Sequence, residues 1–150
     1  MYFRFVGSTL VNKPQINVLF EIPLIKVASG IFFLVDTGAT FSSISEKDAV
    51  AKLGLDCDSL PESKGRAIGF KGFFKTRMIN SPVFLTFKSD KGENYKIAYG
   101  GGFRVMYISP QLPPEDREKA LGLTPSILGM DILCKFKVYV DKKRVVLTLD

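Results

Sequence analysis

The run Ile31-Phe32-Phe33-Leu34-Val35 narrows the folding options of this chain more than any other, because it ends abruptly in Asp36-Thr37-Gly38-Ala39-Thr40. A short stretch of β-branched, aromatic and aliphatic residues, closed by a turn-forming triplet, predicts a buried strand. Such a strand delivers a carboxylate to its own end, where an isolated buried charge is costly. Alternation puts Asp36 on the same strand face as Leu34, so the acid shares a surface with an apolar wall. Thr37 adds a hydroxyl, and Gly38 a backbone free to turn sharply. Alone, the triplet also suits an ordinary strand-ending turn.

Strand patterns recur along the chain. Ile16, Val18, Phe20, Ile22 and Leu24 alternate with Asn17 and Glu21, which predicts a half-buried strand over 16–25 and a turn over 26–30. Residues 2–11 are apolar enough for a further strand, with its pairing open. Ser45-Glu46-Lys47-Asp48 places a capping hydroxyl three residues before an acid, so a helix is expected over 46–53, stopped by Gly54. Residues 56–64 read as loop and 65–79 as a hairpin with its tip near Gly69 to Gly72. Val83, Leu85 and Phe87 form the next strand, and Ser89-Asp90-Lys91-Gly92 turns. Residues 95–108 return, interrupted by Gly100-Gly101-Gly102, which marks a bulge, a sharp bend or a close backbone approach. Short helices are expected over 113–122 and 129–133. A C-terminal hairpin follows, with Phe136, Val138 and Val140 before the turn and Val145, Leu147 and Leu149 after it. The expected class is all-β with two or three short helices, in one domain over 1–150.

The chain has no histidine, which removes Ser-His-Asp and Cys-His mechanisms and argues against a zinc site. No metal and no cofactor is expected. Cys57 and Cys134 are far apart in sequence and read as free thiols. No apolar stretch approaches the roughly 18 residues of a membrane span, and the N-terminus lacks a basic then apolar leader pattern. A cytoplasmic protein with no membrane partner is therefore expected. The net charge is +6, with a denser basic set at Lys64, Arg66, Lys71, Lys75 and Arg77. That set reads as a solvated hairpin face, or as a basic surface favouring acidic substrates or nucleic acid. Lys71-Gly72-Phe73 opens like an RNA-binding strand signature, but Phe74, Lys75 and Met78 do not complete it, so no nucleic-acid partner is expected.

Two further segments raise the weight of Asp36. Ile127-Leu128-Gly129-Met130-Asp131-Ile132-Leu133 lies far downstream, and Ala67-Ile68-Gly69-Phe70-Lys71-Gly72-Phe73 lies between. In that order the three segments resemble the retropepsin family of aspartic proteases, over about residues 16–149. The resemblance implies a retropepsin-like β-barrel assembled as a two-fold homodimer. It implies an aspartic endopeptidase acting on a peptide or protein substrate, with Asp36, Thr37 and Gly38 as its catalytic loop. It places Leu34, Ala39 and Ile127 at the substrate, with Ile68, Gly69, Phe70 and Gly72 in a closing flap and Leu128 and Gly129 supporting the site. Leu34 and Ile127 suit plain core packing equally well, as Phe70 and Phe73 suit hairpin packing.

Two carboxylates close enough to share a proton supply both the base and the acid that peptide hydrolysis needs. The sequence holds one Asp-Thr-Gly; Met130-Asp131-Ile132 lacks the turn, so the second acid is expected from Asp36 of another copy. The terminal stretches 2–11 and 145–149, apolar and without an evident partner, are the expected interface. One departure separates this chain from retroviral members, which pair an acid after Asp-Thr-Gly-Ala with an Arg after the second Gly. Here those positions are Thr40 and Met130, so both halves are absent. A non-catalytic dimerisation or peptide-binding module on the same fold is the alternative.

Overall fold

The computed structural model describes residues 3–10, 13–63 and 74–149. Eleven strands form one hydrogen-bonded system: β1 (Phe3–Leu10), β2 (Lys13–Ile22), β3 (Val27–Val35), β4 (Ser43–Ser45), β5 (Phe74–Ile79), β6 (Val83–Lys88), β7 (Asn94–Tyr99), β8 (Phe103–Ile108), β9 (Ser126–Leu128), β10 (Lys137–Val140) and β11 (Arg144–Leu149). Among the described residues three short helices accompany them: α1 (Glu46–Leu53), α2 (Pro114–Leu123) and α3 (Met130–Leu133). The main path runs β10-β11-β1-β2-β3-β9-β4-β8-β5, with β6 joined to β2 and β7 to β6. The architecture is mostly β with few helices, as the alternation patterns predict. No helix among the described residues is long and apolar enough to cross a membrane.

The core follows from that alternation. Ile16, Val18, Phe20 and Ile22 of β2 are buried, while Asn17 and Leu19 between them face outward. Phe20 meets Phe103 edge-on at 5.0 Å and lies against Phe33 at 6.4 Å, which joins β2, β3 and β8 through one aromatic contact set. Leu24, expected on the buried face, is 75% exposed. Pro23 has no N–H for the ladder and a fixed φ, so it opens a 3-10 turn over Pro23–Ile25 instead of extending the strand. Lys26 closes the turn in the left-handed region at φ 56°, donating its N–H to Pro23 O. The turn therefore falls before 26–30, and β3 is already formed at Val27.

Helix α1 forms over the predicted span, with Ser45 Oγ accepting the Asp48 N–H at 3.1 Å and Gly54 capping at φ 65°. Helix α2 runs past Gly122 and ends at Leu123, where the backbone turns extended at Thr124 (φ −85°, ψ 115°) while the Thr124 N–H and hydroxyl both donate to Ala120 O. Strands β7 and β8 do not pair with each other. Strand β7 pairs with β6, whereas β8 pairs with β5 and β4, so the glycines between them carry the chain from one part of the sheet to another. Gly101 and Gly102 have φ of 116° and 79°, and a Cβ on Gly101 would lie 2.9 Å from Asn80 O. The three glycines are thus a sharp bend with a close backbone approach.

The terminal strands correct an expectation. Strand β1 pairs with β11 along Phe3↔Leu149 to Ser8↔Arg144 and with β2 on its other side. Phe5, Val145 and Leu147 are buried between these strands and the core. Neither stretch lacks a partner within the chain, so the reason for assigning them to an interface disappears.

Candidate active site

Strand β9 is three residues long and is inserted between β3 and β4. It runs parallel to β3 in the register Phe33↔Ser126, Leu34↔Ile127 and Val35↔Leu128, and meets β4 antiparallel at Ser43↔Ile127. The two ends of the chain segment that carries Asp36 are therefore held by one short downstream strand. Leu34 and Ile127 lie opposite each other, both half-buried. Leu128 is fully buried behind them.

Asp36 continues the ladder one step, donating its N–H to Leu128 O at 3.0 Å. The chain then turns. The Ala39 N–H reaches back to Asp36 O at 3.2 Å, and the Gly38 N–H donates to Asp36 Oδ1 at 2.9 Å. That second bond orients the carboxylate from within its own turn. Asp36 and Ala39 are half-buried, whereas Thr37 and Gly38 are exposed. The carboxylate sits at the rim of the sheet and not in its core.

The loop is braced from α3. Met130 N donates to Ala39 O at 2.7 Å and Asp131 N to Thr40 O at 3.1 Å, so the first N–H groups of α3, which have no partner within the helix, take loop carbonyls instead. Gly129 makes the approach feasible: a Cβ there would lie 2.6 Å from Phe41 C, 2.7 Å from Phe41 O and 2.8 Å from Ala39 O. Only a residue without a side chain occupies that position without displacing the loop.

Thr40 and Met130 are both exposed. The neighbouring residue, Asp131, links α3 to the loop. Asp131 accepts from Ser42 N at 3.0 and 3.1 Å, from Ser42 Oγ at 2.6 Å and from the Tyr99 hydroxyl at 3.1 Å. Ser42 Oγ in turn accepts the Gly129 N–H at 2.9 Å. A second relay lies at the far end of β9, where Ser126 Oγ donates to Asp48 Oδ2 at 2.6 Å and accepts Ser45 N at 2.9 Å. Sequence reasoning missed Ser42, Tyr99, Asp131, Ser126 and Asp48 as parts of this frame. The spacing of Asp131 two residues after Gly129 is the one signal that the sequence offers, and there Asp131 reads only as an acid without the catalytic turn.

The expected site residues thus divide. Asp36, Thr37, Gly38, Leu34, Ala39, Ile127, Leu128 and Gly129 converge on one loop and its supporting strand. Ile68, Gly69, Phe70 and Gly72 lie outside the described residues, as do Lys64, Arg66, Lys71 and Phe73. Among the described residues no three Cys, Asp or Glu side chains group as metal ligands do.

A cavity of about 490 Å³ lies away from this loop, lined in part by Glu46, Val50, Leu55, Cys57, Arg117 and Leu121. Glu46 is buried there, held by Arg117 Nη2 at 2.6 Å and by the Ile108 N–H at 3.4 Å. Burial nevertheless raises the Glu46 carboxyl above its ordinary range, against the opposing pull of Arg117. The cavity contains no residue of the Asp36 loop.

A solved structure matches this arrangement over nearly its whole extent. The crystal structure of a retropepsin-like aspartic protease from Rickettsia conorii superposes with a TM-score of 0.52 at 20% sequence identity, covering 99% of this chain and 93% of that one. The fold is retropepsin-like. A second match, the EIAV protease complexed with the inhibitor HBY-793, has a TM-score of 0.41 at 21% identity over 83% of this chain and 88% of that one. No protein-family model and no curated protein matches the chain in sequence. Within the retropepsin-like fold, Asp36 occupies the end of the strand that β9 clamps.

Proposed function

We propose that this chain is an aspartic endopeptidase whose catalytic pair is Asp36 from each of two copies. The observation that carries the reading is the Asp36 turn itself. A carboxylate oriented by the Gly38 N–H stands at the sheet rim, and its loop is braced by α3 and β9. One such acid is present per chain, so a two-fold axis between two loops supplies the second. Like charges that close cannot both ionise, and the pair retains one proton. The ionised member takes a proton from water as the water oxygen attacks the scissile carbonyl, and the protonated member gives its proton to the carbonyl oxygen. The tetrahedral diol then collapses with cleavage of the C–N bond as the first carboxyl passes its proton to the leaving amine nitrogen.

In this reading Thr37 contacts its counterpart across the axis and Gly38 lets the substrate backbone approach. Leu34, Ala39 and Ile127 form the apolar wall beside the scissile bond. Residues Ile68, Gly69, Phe70 and Gly72 belong to a flap, over about residues 65–79, that closes on the substrate and excludes water. The exposed position of Thr37 and Gly38 supports it, since both must meet other groups.

The test is Asp36→Asn, which keeps size and hydrogen bonding but removes the ionisable pair. Hydrolysis of an unstructured protein such as casein is expected to be abolished, because both acids of the pair change together, while the circular dichroism spectrum stays that of the wild type. Turnover retained by a folded Asp36→Asn protein overturns the assignment. A wild-type protein that joins into pairs and cleaves nothing identifies the non-catalytic module instead.

A further inference from the structure

We infer that Phe41 and Arg104 form a subsite that selects an acidic side chain in the peptide substrate. The inference rests on the reading of Asp36 as a catalytic carboxylate, and adds to it the residue that sets sequence preference.

The strand registers place Arg104 on the sheet face that carries Asp36. Leu34 of β3 lies beside Ile127 of β9, Ile127 beside Ser43 of β4, and Ser43 beside Arg104 of β8. Side chains in register across a sheet point to one face, so Arg104 shares a face with Leu34 and Ile127, and alternation adds Asp36. These residues also meet at one end of the strands. Val35 and Leu128 end β3 and β9, whereas Ser43 begins β4 and Arg104 is the second residue of β8. Phe41 lies between Asp36 and β4, in the same loop.

Arg104 is set apart by its partners. Its Cζ stands 3.6 Å from the centroid of the Phe41 ring, a cation over an aromatic face. Phe41 is itself 49% exposed. Arg4, Arg77, Arg117 and Arg144 form ion pairs with Asp90, Glu62, Glu46 and Asp141 in turn. Among the described residues the Arg104 guanidinium forms no ion pair and no hydrogen bond. Asp131, which reaches the same loop, accepts from Ser42 and Tyr99 instead. A guanidinium laid on a ring keeps its N–H edge free, and that edge matches a carboxylate through two parallel hydrogen bonds. Phe41 holds the cation in place, so less freedom remains to be lost when an acid binds.

Strand spacing sets where on the substrate this acid falls. Neighbouring strands lie about 4.8 Å apart, so β8, two strands from β9, is about 10 Å from it. An extended peptide advances about 3.4 Å per residue. A peptide whose scissile bond lies beside Ile127, and which runs toward β8, therefore reaches Arg104 about three residues from that bond. Two copies about a two-fold axis present one such subsite on each side of the bond. The net charge of +6 acts in the same direction, drawing acidic peptides to the chain.

The test offers the full chain a pool of random dodecapeptides and sequences the products by mass spectrometry. Asp and Glu are expected to be enriched about three residues from the cleaved bond. One cleaved peptide is then made with Glu, Gln or Lys at that position, and kcat/KM is compared. The Glu peptide is expected to exceed the Gln peptide roughly tenfold, and by less as salt rises. Arg104→Gln should remove that advantage, Arg104→Lys should keep part of it, and Arg104→Glu should turn the preference to Lys, each with the wild-type circular dichroism spectrum. An arginine that only braced the loop would slow all three peptides alike and leave their ratio in place. Equal rates for Glu and Gln in the wild type, or an advantage that Arg104→Gln preserves, overturn the inference and leave the catalytic reading standing. A wild type that cleaves no peptide removes the catalytic reading, and binding then decides the subsite. Immobilised Asp36→Asn protein is expected to retain acidic peptides from the pool, and Asp36→Asn combined with Arg104→Gln to lose that selection. The same peptides retained by both, or none by either, overturn the inference as well.

Discussion

Ser42 and Asp131 are joined by both the backbone and the side chain of the serine, with Ser42 Oγ donating to Asp131 Oδ1 at 2.6 Å and Ser42 N lying 3.0 and 3.1 Å from the two carboxylate oxygens. They are far apart in sequence, and the contact closes the Asp36 loop onto α3. It stands one residue beyond Met130, where the resemblance to retroviral proteases leads one to look for an arginine. The same carboxylate accepts from the Tyr99 hydroxyl at 3.1 Å.

Asp131→Ala removes the acceptor from the Ser42 N–H, the Ser42 hydroxyl and the Tyr99 hydroxyl together. Bonds to a charged acceptor contribute more than neutral ones, and stranded donors carry a desolvation cost, so a loss of roughly 2–4 kcal/mol is expected. Asp131→Asn keeps one acceptor oxygen and should lose less. Urea unfolding of the three proteins measures this; equal midpoints would show that the linkage contributes nothing.

Gly129→Ala forces a Cβ to within 2.6 Å of Phe41 C and 2.8 Å of Ala39 O. Both are backbone atoms of the loop that follows Asp36, so no side-chain rotation relieves the overlap. Overpacking of this kind costs roughly 1–3 kcal/mol, and a clash with backbone belongs at the upper end. Thermal unfolding reads the loss, and a variant as stable as the wild type would mean that the loop yields easily.

Glu46 makes the stability depend on pH in a direction that its burial sets. Burial raises its carboxyl above the ordinary 4.5, with Arg117 and the Ile108 N–H pulling the other way and Asp58 adding to the rise. The folded protein thus holds this proton to higher pH than the unfolded chain. The resulting stability is fully present below about 4.5 and is lost as pH climbs through the raised value. Glu46→Gln lacks the titration. The stability of the wild type relative to Glu46→Gln should therefore fall as pH increases from below 4.5 through the raised value. Parallel curves in urea titrations would refute this.

The two thiols should differ sharply in reactivity. Cys57 is buried, and burial, aided by Glu46, Asp58 and Asp56, pushes its thiol up to about 11. Cys134 is exposed. Since the thiolate is the reactive form, a thiol reagent near neutral pH should label Cys134 quickly in the native protein and Cys57 only after denaturant is added. Rapid labelling of both without denaturant would contradict the burial of Cys57.

What the amino-acid order decides alone is local. The alternation of Ile16 to Ile22 marks a strand with one buried face, and Ser45 with Gly54 bounds α1 because cap and stop chemistry acts within a few residues. The Asp36 turn is legible for the same reason: strand, acid, hydroxyl and glycine are contiguous, and the Gly38 N–H reaches Asp36 Oδ1 across two residues. Pairing over long separations was not legible. Nothing local in Phe3–Leu10 says that it pairs with Arg144–Leu149, since any apolar strand of that length matches several others until the core fixes the register. The three glycines at 100–102 suit a bulge or a bend equally until Asn80 O is placed beside Gly101. Asp131 reads as a spare acid until folding sets Ser42 and Tyr99 around it. A side chain's own chemistry is written in its sequence, but the partner that spends its hydrogen bonds is chosen only when distant segments are packed together.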